Sequence, residues 1–259
     1  WELRGEFTVG QAFANRAEYA RGMEHLMRAH DVAERAGDRR AAALSIGSMG
    51  TIHFYQGRND EAMHCFQQQA DICTELGLEG SAASAYGNLG NTYASSGRYD
   101  EALECYERYR TVSERYGNLA GVANAVGNIG GVQMRLGRVE DGIASYKRSI
   151  EICESIGDRA GVTYACGNIS DALSQLGRFE EGREFSERQH RLGTEMGDRR
   201  AVAIATAHIA EADRYHGRYA GALKGYLFAL SENKDLGVRY FVATLAGDIA
   251  HTLLHTLDM

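Results

Sequence analysis

The tetrapeptide Gly97-Arg98-Tyr99-Asp100 decides the fold of this chain, because related turns recur at intervals of forty residues. The other copies begin at Gly57, Gly137, Gly177 and Gly217. A second set of glycines runs in the same phase, at Gly37, Gly77, Gly117, Gly157, Gly197 and Gly237. Glycine readily takes the left-handed conformation that ends a helix. The two sets therefore cut each repeat into two predicted helices of about 18 residues, each about 27 Å long.

The first segment of each repeat has the apolar spacing of an amphipathic helix. One stripe consists of Tyr86, Leu89, Gly90 and Tyr93, at positions i, i+3, i+4 and i+7. The chain contains no proline, so no helix has a forced kink. Three aspartates that follow a cut are expected to cap the next helix, namely Asp38, Asp158 and Asp198.

The second segment pairs a small residue with a large one four positions later. Ala102 and Tyr106 form one such pair, and this pattern favours the interlocking of a helical hairpin with its neighbour. The equivalent pairs are Ala62 with Phe66, Gly142 with Tyr146, and Ala222 with Tyr226. The fourth copy departs, because Ser186 holds the large position, and Phe185 is the candidate to fill the same space.

These patterns predict an all-α protein built from stacked antiparallel helix pairs, forming a single domain over residues 1–259. The expected hairpins are a degenerate one over 2–36 and five clear ones over 39–76, 79–116, 119–156, 159–196 and 199–236. Residues 239–256 are expected to form a first helix without a second. That helix would expose Phe241, Leu245, Ile249 and Leu253 unless something packs on it. Because the chain opens on Trp1, we expect a fragment of a larger protein.

Composition excludes several classes of function. The chain is 24% charged and 44% hydrophobic, with a net charge of -7 and no basic stripe, so we expect no nucleic-acid partner. No stretch of about 18 apolar residues predicts a membrane span, and we expect no membrane partner. The five cysteines include no CxxC pair, which indicates reduced thiols and a cytoplasmic location.

Residues 87–93, followed by Gly97, Tyr99, Ala102 and Tyr106, resemble the tetratricopeptide-repeat (TPR) signature. The forty-residue spacing is similar to the long-helix branch, which includes Leu-Gly-Asn repeat (Pins-type) adaptors, kinesin light chains and bacterial TPR sensor arrays. The resemblance implies a right-handed superhelical α-solenoid of about six repeats plus a terminal helix. It also implies an inner groove that is lined by the first helices and holds a partner segment. The repeat over 199–236 departs from the signature, reading His-Ile-Ala-Glu at 208–211.

The groove face of the first helices carries a ladder of asparagines. A carboxamide has both a donor and an acceptor, so a row of them can pair with the backbone of an extended peptide. The same asparagines could instead bond the adjacent helix and fix the repeat spacing. Including the neighbouring phases, the predicted peptide-binding residues are Asn88, Asn91, Asn128, Arg135, Asn168, Asp171, His208, Glu211, Arg214 and Tyr215.

Glycines recur in the middle of the first helices, at Gly47, Gly87, Gly127, Gly167 and Gly247. Each costs about 0.5–1 kcal/mol relative to alanine, which calls for an explanation. Two stay open: close approach of a ligand, or tight contact between successive first helices. Toward the C-terminus the groove becomes acidic through Asp171, Glu211 and Asp248, relieved by Arg214. A ligand with basic residues toward one end would be complementary to this charge gradient, and the complementarity would set the orientation of the ligand more than its affinity.

We find no pattern for catalysis, a cofactor or a metal. His53, His64 and Cys65 suggest a metal site. However, His53 and His64 lie on different predicted helices, and no third ligand shares their spacing. We therefore predict a protein-interaction module that binds an extended peptide or partner segment, as an adaptor, scaffold or sensor. The alternative is a self-assembling scaffold that forms a homodimer through residues 239–256.

Overall fold

A computed structural model describes the backbone of residues 2–257 and the side chains of 2–238 and 241–255. Trp1, which motivated the expectation of a fragment, lies outside these residues. All regular structure in the described part is helical, which confirms the all-α prediction. The chain divides into two compact units, Trp1–Leu136 (unit 1) and Gly137–Met259 (unit 2).

Unit 1 contains seven helices among its described residues, and each packs on the next. They are α1 (Glu2–Asn15), α2 (Tyr19–Ala36), α3 (Arg39–Tyr55), α4 (Asn59–Glu75), α5 (Glu79–Ser95), α6 (Tyr99–Arg115) and α7 (Leu119–Arg135). Unit 2 contains six in its described part, again packed consecutively. They are α8 (Val139–Ser155), α9 (Arg159–Gln175), α10 (Phe179–Met196), α11 (Arg199–Tyr215), α12 (Tyr219–Asp235) and α13 (Arg239–Leu257).

The glycines at the predicted cuts do end the helices. All eleven, spaced by twenty residues from Gly37 to Gly237, have φ between 65° and 74°. Only glycine takes this left-handed conformation at little cost, so each fixes the turn between two antiparallel helices. The one other positive φ among the described residues belongs to Ala17, in the turn between α1 and α2.

The predicted aspartate caps also form. Asp38 Oδ1 accepts a hydrogen bond from the backbone N–H of Ala41 at 3.0 Å. Asp158 and Asp198 make the same bond at the starts of α9 and α11, at 2.9 and 3.0 Å. Such a cap contributes about 1 kcal/mol by satisfying an amide that the helix leaves unpaired. The starts of α3, α9 and α11 are thus each stabilised by the aspartate that precedes the helix.

The large residue of the small-and-large pair packs against the first helix of its own hairpin, as two hairpins show. Tyr106 of α6 is only 3% exposed. Its ring lies against Gly90 of α5, where an added Cβ would approach Cε1 to 2.6 Å. Phe66 packs on Gly50 in the preceding hairpin in the same way. In these two hairpins the glycine of the first helix therefore makes room for an aromatic ring of its own second helix.

The fourth hairpin fills this position differently from the prediction. Ser186 is fully buried, and its hydroxyl bonds to the hydroxyl of Ser170 on α9. Ser170 also donates to the carbonyl of Gly182 at 3.0 Å. Phe185 does not take the vacant place, because it lies half-buried with the ammonium of Lys147 at 5.9 Å from its ring centroid. Two hydroxyls replace one aromatic ring because they satisfy each other without solvent.

The terminal helix α13 packs on the hairpin before it. Leu245 is 2% exposed and lies in one apolar cluster with Tyr226, Ala222 and Ala210, with Ile249 packed against it. Two of the four apolar residues predicted to face outward are therefore covered by α12 and α11. Leu253 stays 42% exposed.

Candidate functional site

The first helices of unit 1 bring two of the predicted asparagines, Asn91 and Asn128, together. Asn91 Oδ1 accepts a hydrogen bond from the Tyr106 hydroxyl at 2.7 Å, and the Asn128 amide lies 3.5 Å from the same oxygen. Asn128 belongs to α7, so the contact links two successive first helices. Asn88 lies half-buried one turn before Asn91. The amides therefore connect neighbouring helices within unit 1.

Arg135 stands apart from this cluster. It is exposed in the last turn of α7. Among the described residues it takes part in no ion pair within 4.0 Å. Its guanidinium is therefore available at the edge of the face that carries the asparagines.

Unit 2 contains a cavity of about 660 Å³ between its first helices. Four of the predicted residues line it, namely Asn168, Asp171, His208 and Glu211. Asp248 of α13 closes the acidic side, and Gln189 of α10 reaches the cavity from the second helix. A volume of this size is in the range that holds small ligands or short peptide segments. We call this the unit 2 cavity.

Two predicted residues lie outside the lining of the cavity. Arg214 is half-buried near the end of α11, where Nε donates to the Tyr226 hydroxyl at 3.4 Å and Nη1 lies 3.2 Å from His251 Nδ1. Tyr215 is 65% exposed, and its ring centroid lies 4.5 Å from that of Phe179. Tyr215 therefore occupies the end of the first helix beside the hairpin turns.

The acidic side chains of the cavity have neutral partners. Ser174 donates its hydroxyl hydrogen to Glu211 Oε2 at 2.6 Å, and Gln175 donates to Asp171 Oδ2 at 2.8 Å. Burial raises the pKa of Asp248 above its ordinary value, and the negative charge of Glu211 raises it further. Ionised Asp248 is thus less stable here than in water.

Burial also holds His208 in its neutral form. It lowers the pKa of the imidazole, although Asp171 and Glu211 act in the opposite direction. Burial likewise raises the pKa of Tyr226 to about 12, so its hydroxyl stays protonated. At neutral pH His208 and Tyr226 are therefore uncharged.

Three buried polar atoms of the cavity lining have no hydrogen-bond partner among the described residues. They are Asn168 Nδ2, His208 Nδ1 and Gln189 Oε1. Gln189 is only 4% exposed. Buried polar groups in folded proteins are nearly always paired, and each exception costs about 1–3 kcal/mol. Three of the nine such atoms among the described residues thus belong to the lining of one cavity.

Three of the mid-helix glycines face a side chain of the second helix, a role that was not considered from the sequence. An added Cβ on Gly167 would come within 2.6 Å of Gln189 Nε2. At Gly47 the side chain of Gln69 occupies the place, and at Gly87 the ring of Tyr109 approaches to 3.1 Å. The glycines therefore admit a side chain from the second helix of the same hairpin toward the inner face.

Sequence reasoning missed Gln189 because only the first helices were expected to line the inner groove. The signal was present, since Gln69 and Gln189 stand at the same repeat position, each opposite a mid-helix glycine. Tyr226 was assigned to packing alone, yet it also lines the cavity. Second-helix side chains thus contribute to the inner surface.

Metal binding and thiol chemistry are the other possibilities in the described part of the chain. No group of three or more His, Cys, Asp or Glu side chains there is arranged to hold a metal ion. Burial raises the pKa of the Cys105 and Cys166 thiols to about 11, which disfavours the reactive thiolate. No helix in the described range has the length and apolarity needed to cross a membrane.

Antiparallel helix pairs, closed by glycine turns every twenty residues, define a helical-repeat protein. Two families described as tetratricopeptide repeat match the sequence, one over residues 39–115 and the other over residues 88–155. The chain therefore contains tetratricopeptide repeats over residues 39–155, as its sequence pattern predicted. A comparison with curated proteins finds no match.

Solved structures share the fold. Aspartyl phosphate phosphatase F from Bacillus subtilis is 14% identical, with 97% of this chain and 70% of that chain covered and a TM-score of 0.74. A Rap protein complexed with Competence and Sporulation Factor is 14% identical, with coverages of 99% and 76% and a TM-score of 0.69. A signal transduction ATPase from Pyrococcus horikoshii, with a tetratricopeptide repeat sensor, is 13% identical, with coverages of 98% and 43% and a TM-score of 0.74. At these identities the likeness is one of fold.

Proposed function

We propose that this protein is an interaction module that binds an extended peptide segment of a partner on the inner faces of its first helices. The observation that carries the proposal is the set of unpaired polar atoms in the unit 2 cavity, above all Asn168 Nδ2. An asparagine amide can donate to a peptide carbonyl whatever the side chains of that peptide are. His208 adds a ring nitrogen that lacks a partner among the described residues.

The asparagines of unit 1 extend the same chemistry. Asn88 and Asn128 lie half-buried on α5 and α7, on the face that also carries Asn91. Asn91 is already engaged by Tyr106, so its oxygen belongs to the scaffold. We therefore assign peptide contact in unit 1 to Asn88 and Asn128, with exposed Arg135 at the edge.

Two relatives support an interaction role. One similar structure is a Rap protein complexed with Competence and Sporulation Factor, and another belongs to an ATPase with a tetratricopeptide repeat sensor. We extend the proposal to an adaptor, scaffold or sensor role. The five free cysteines fit a reducing compartment, and we propose the cytoplasm.

Affinity selection from a defined peptide pool tests the proposal. The immobilised 259-residue chain is exposed to a pool of acetylated, amidated octapeptides, and the retained peptides are identified by mass spectrometry. We expect Asn168→Ala, and separately Asn88→Ala with Asn128→Ala, to reduce retention at least tenfold. Gln68→Ala is the matched control, because Gln68 is an exposed amide on the second helix α4.

Circular dichroism shows whether each variant keeps its helices. If the folded asparagine variants retain the same peptides at the same levels as the parent, the inner faces are not the binding surface. A parent chain that retains no peptide also overturns the proposal.

Self-association is the second candidate function, favoured by Leu254, which is 62% exposed on α13. We propose a homodimer through residues 239–256 as this alternative. Sedimentation velocity over a hundredfold range of concentration would show association, and Leu254→Glu would abolish it. Leu245 is unsuitable for this test, because it is buried against Tyr226 and its replacement would unseat the helix. A chain that stays monomeric throughout excludes the dimer.

A further inference from the structure

The unit 2 cavity is rich in hydrogen-bond acceptors. Asp171, Glu211 and Asp248 come from three different helices, and Gln189 Oε1 adds a carbonyl oxygen. Gln189 is 4% exposed, and this oxygen has no partner among the described residues. Acceptors that converge from several directions call for a ligand with several donors.

The acidic side chains are not neutralised from within the chain. Across the described residues, none of Asp171, Glu211 and Asp248 has a Lys, Arg or His nitrogen within 4.0 Å. Arg200 is the only Lys or Arg in the described lining, and its side chain is exposed. The guanidinium of Arg214 is directed to Tyr226 and His251 instead. The cavity therefore keeps an excess of negative charge.

This charge is specific to unit 2. The repeat position of Asp171 is Asn91 in unit 1, and the position of Asp248 is Asn88. Burial, together with the nearby Glu211, raises the pKa of Asp248, although the charges of Arg214 and His251 act in the opposite direction. A bound cation would reverse that effect.

We infer that the unit 2 cavity takes the side chain of an arginine carried by the bound segment, held by Asp171, Glu211, Asp248 and Gln189. This inference rests on the proposed peptide-binding function and deepens it. The fork of five N–H donors on a guanidinium suits acceptors on three helices better than a single ammonium does. Tyr164, which is 67% exposed, also lines the cavity, and a guanidinium can stack on its ring. The volume of about 660 Å³ leaves room for adjoining backbone, which Asn168 can bind.

A set of three small probes tests the inference by isothermal titration calorimetry on the full chain. N-acetyl-arginine-N-methylamide carries the charge and the fork, and its citrulline analogue has the same shape without the charge. The acetylated, amidated pentapeptide Ala-Ala-Arg-Ala-Ala adds backbone on both sides. We expect the capped arginine to bind at least tenfold more tightly than the capped citrulline, and the pentapeptide more tightly still.

Asp248→Asn and Glu211→Gln should each weaken binding of the pentapeptide at least fivefold. Glu184→Gln is the matched control, since Glu184 is an exposed carboxylate on the second helix α10. Equal binding of the arginine and citrulline probes overturns the inference. So does undetectable binding of the capped arginine and the pentapeptide.

A pentapeptide that binds no more tightly than the capped arginine assigns the cavity to a free small cation and overturns the assignment to a peptide. The octapeptide selection separates this inference from the function on which it rests. Retention of peptides without enrichment of arginine over the other residues overturns the arginine pocket and leaves peptide binding intact. Absence of retained peptides overturns both.

Discussion

Ser170 and Ser186 share a hydrogen bond between α9 and α10 at the place where α5 and α6 pair Gly90 with Tyr106. The two hairpins solve one packing problem in two ways. A bare backbone admits an aromatic ring, whereas a serine on the first helix requires a short polar residue opposite. The two positions are therefore coupled, and a change at one should depend on the other.

Exchanging the pair tests this coupling. Ser186→Tyr alone should lower the free energy of unfolding by about 1–3 kcal/mol, because the ring meets the Ser170 side chain in a filled space. Ser170→Gly with Ser186→Tyr should lose clearly less than the sum of the two single changes. Urea denaturation of the four proteins gives the coupling energy. Additive losses would show that the positions are independent.

Two glycines of the first helices should respond in opposite directions to alanine. Gly90→Ala would place a methyl group 2.6 Å from a ring carbon of buried Tyr106, so we expect a loss of about 1–3 kcal/mol. Gly247 of α13 has no such neighbour within 4 Å among the described residues, so Gly247→Ala should stabilise by about 0.5–1 kcal/mol. Thermal melts of both variants decide the matter, and equal shifts would contradict the assigned packing.

Asp213 links two hairpins of unit 2 through Arg183 and Arg218, whose nitrogens lie 2.6 and 2.8 Å from its Oδ1. Burial alone would raise the pKa of Asp213, but these hydrogen bonds outweigh it and lower the pKa below its ordinary value. The carboxylate therefore stabilises the fold above its unfolded-state pKa, and this contribution is lost as pH falls through the lower folded-state pKa. Asp213→Asn should cost about 1–3 kcal/mol at pH 7.

That cost should shrink as the pH is lowered toward and through the folded-state pKa of Asp213. Urea midpoints of the parent and Asp213→Asn proteins, measured from pH 7 downward, would reveal it. A constant gap between the two curves would refute the role of the charge.

Asp248 should behave in the opposite way. Burial and Glu211 raise its pKa, so ionisation of Asp248 opposes folding, and the penalty is absent below its unfolded-state pKa. It grows as pH rises through the folded-state pKa. In the absence of ligand, Asp248→Asn should therefore raise the melting temperature at pH 7 and have little effect at low pH. A lower melting temperature at pH 7 would indicate a structural role for the carboxylate.

The fold was predictable because its signals repeat. A glycine with positive φ closes each helix from α2 to α12, and a single misread copy would have been corrected by the others. The aspartate caps at Asp38, Asp158 and Asp198 were also predictable, since they depend on local chemistry. The Ser170–Ser186 pair was not, because the sequence does not say which of two neighbouring side chains turns inward.

The lining of the unit 2 cavity was predictable only for its first-helix residues. Asn168, Asp171, His208 and Glu211 followed from repeat phase, and all four line one cavity. Gln189 did not follow, because its contribution depends on the glycine opposite it, on another helix. A pattern read along one helix cannot contain a contact made across two.

The regular succession of first helices has a consequence for any partner. Packed helices lie about 8–10 Å apart, whereas an extended strand advances about 3.3 Å per residue. A segment that crosses α9, α11 and α13 therefore reaches a new helix about every third residue. The forty-residue period of this protein would then reappear in its ligands as a period of three, with the side chains between the contact positions free to vary.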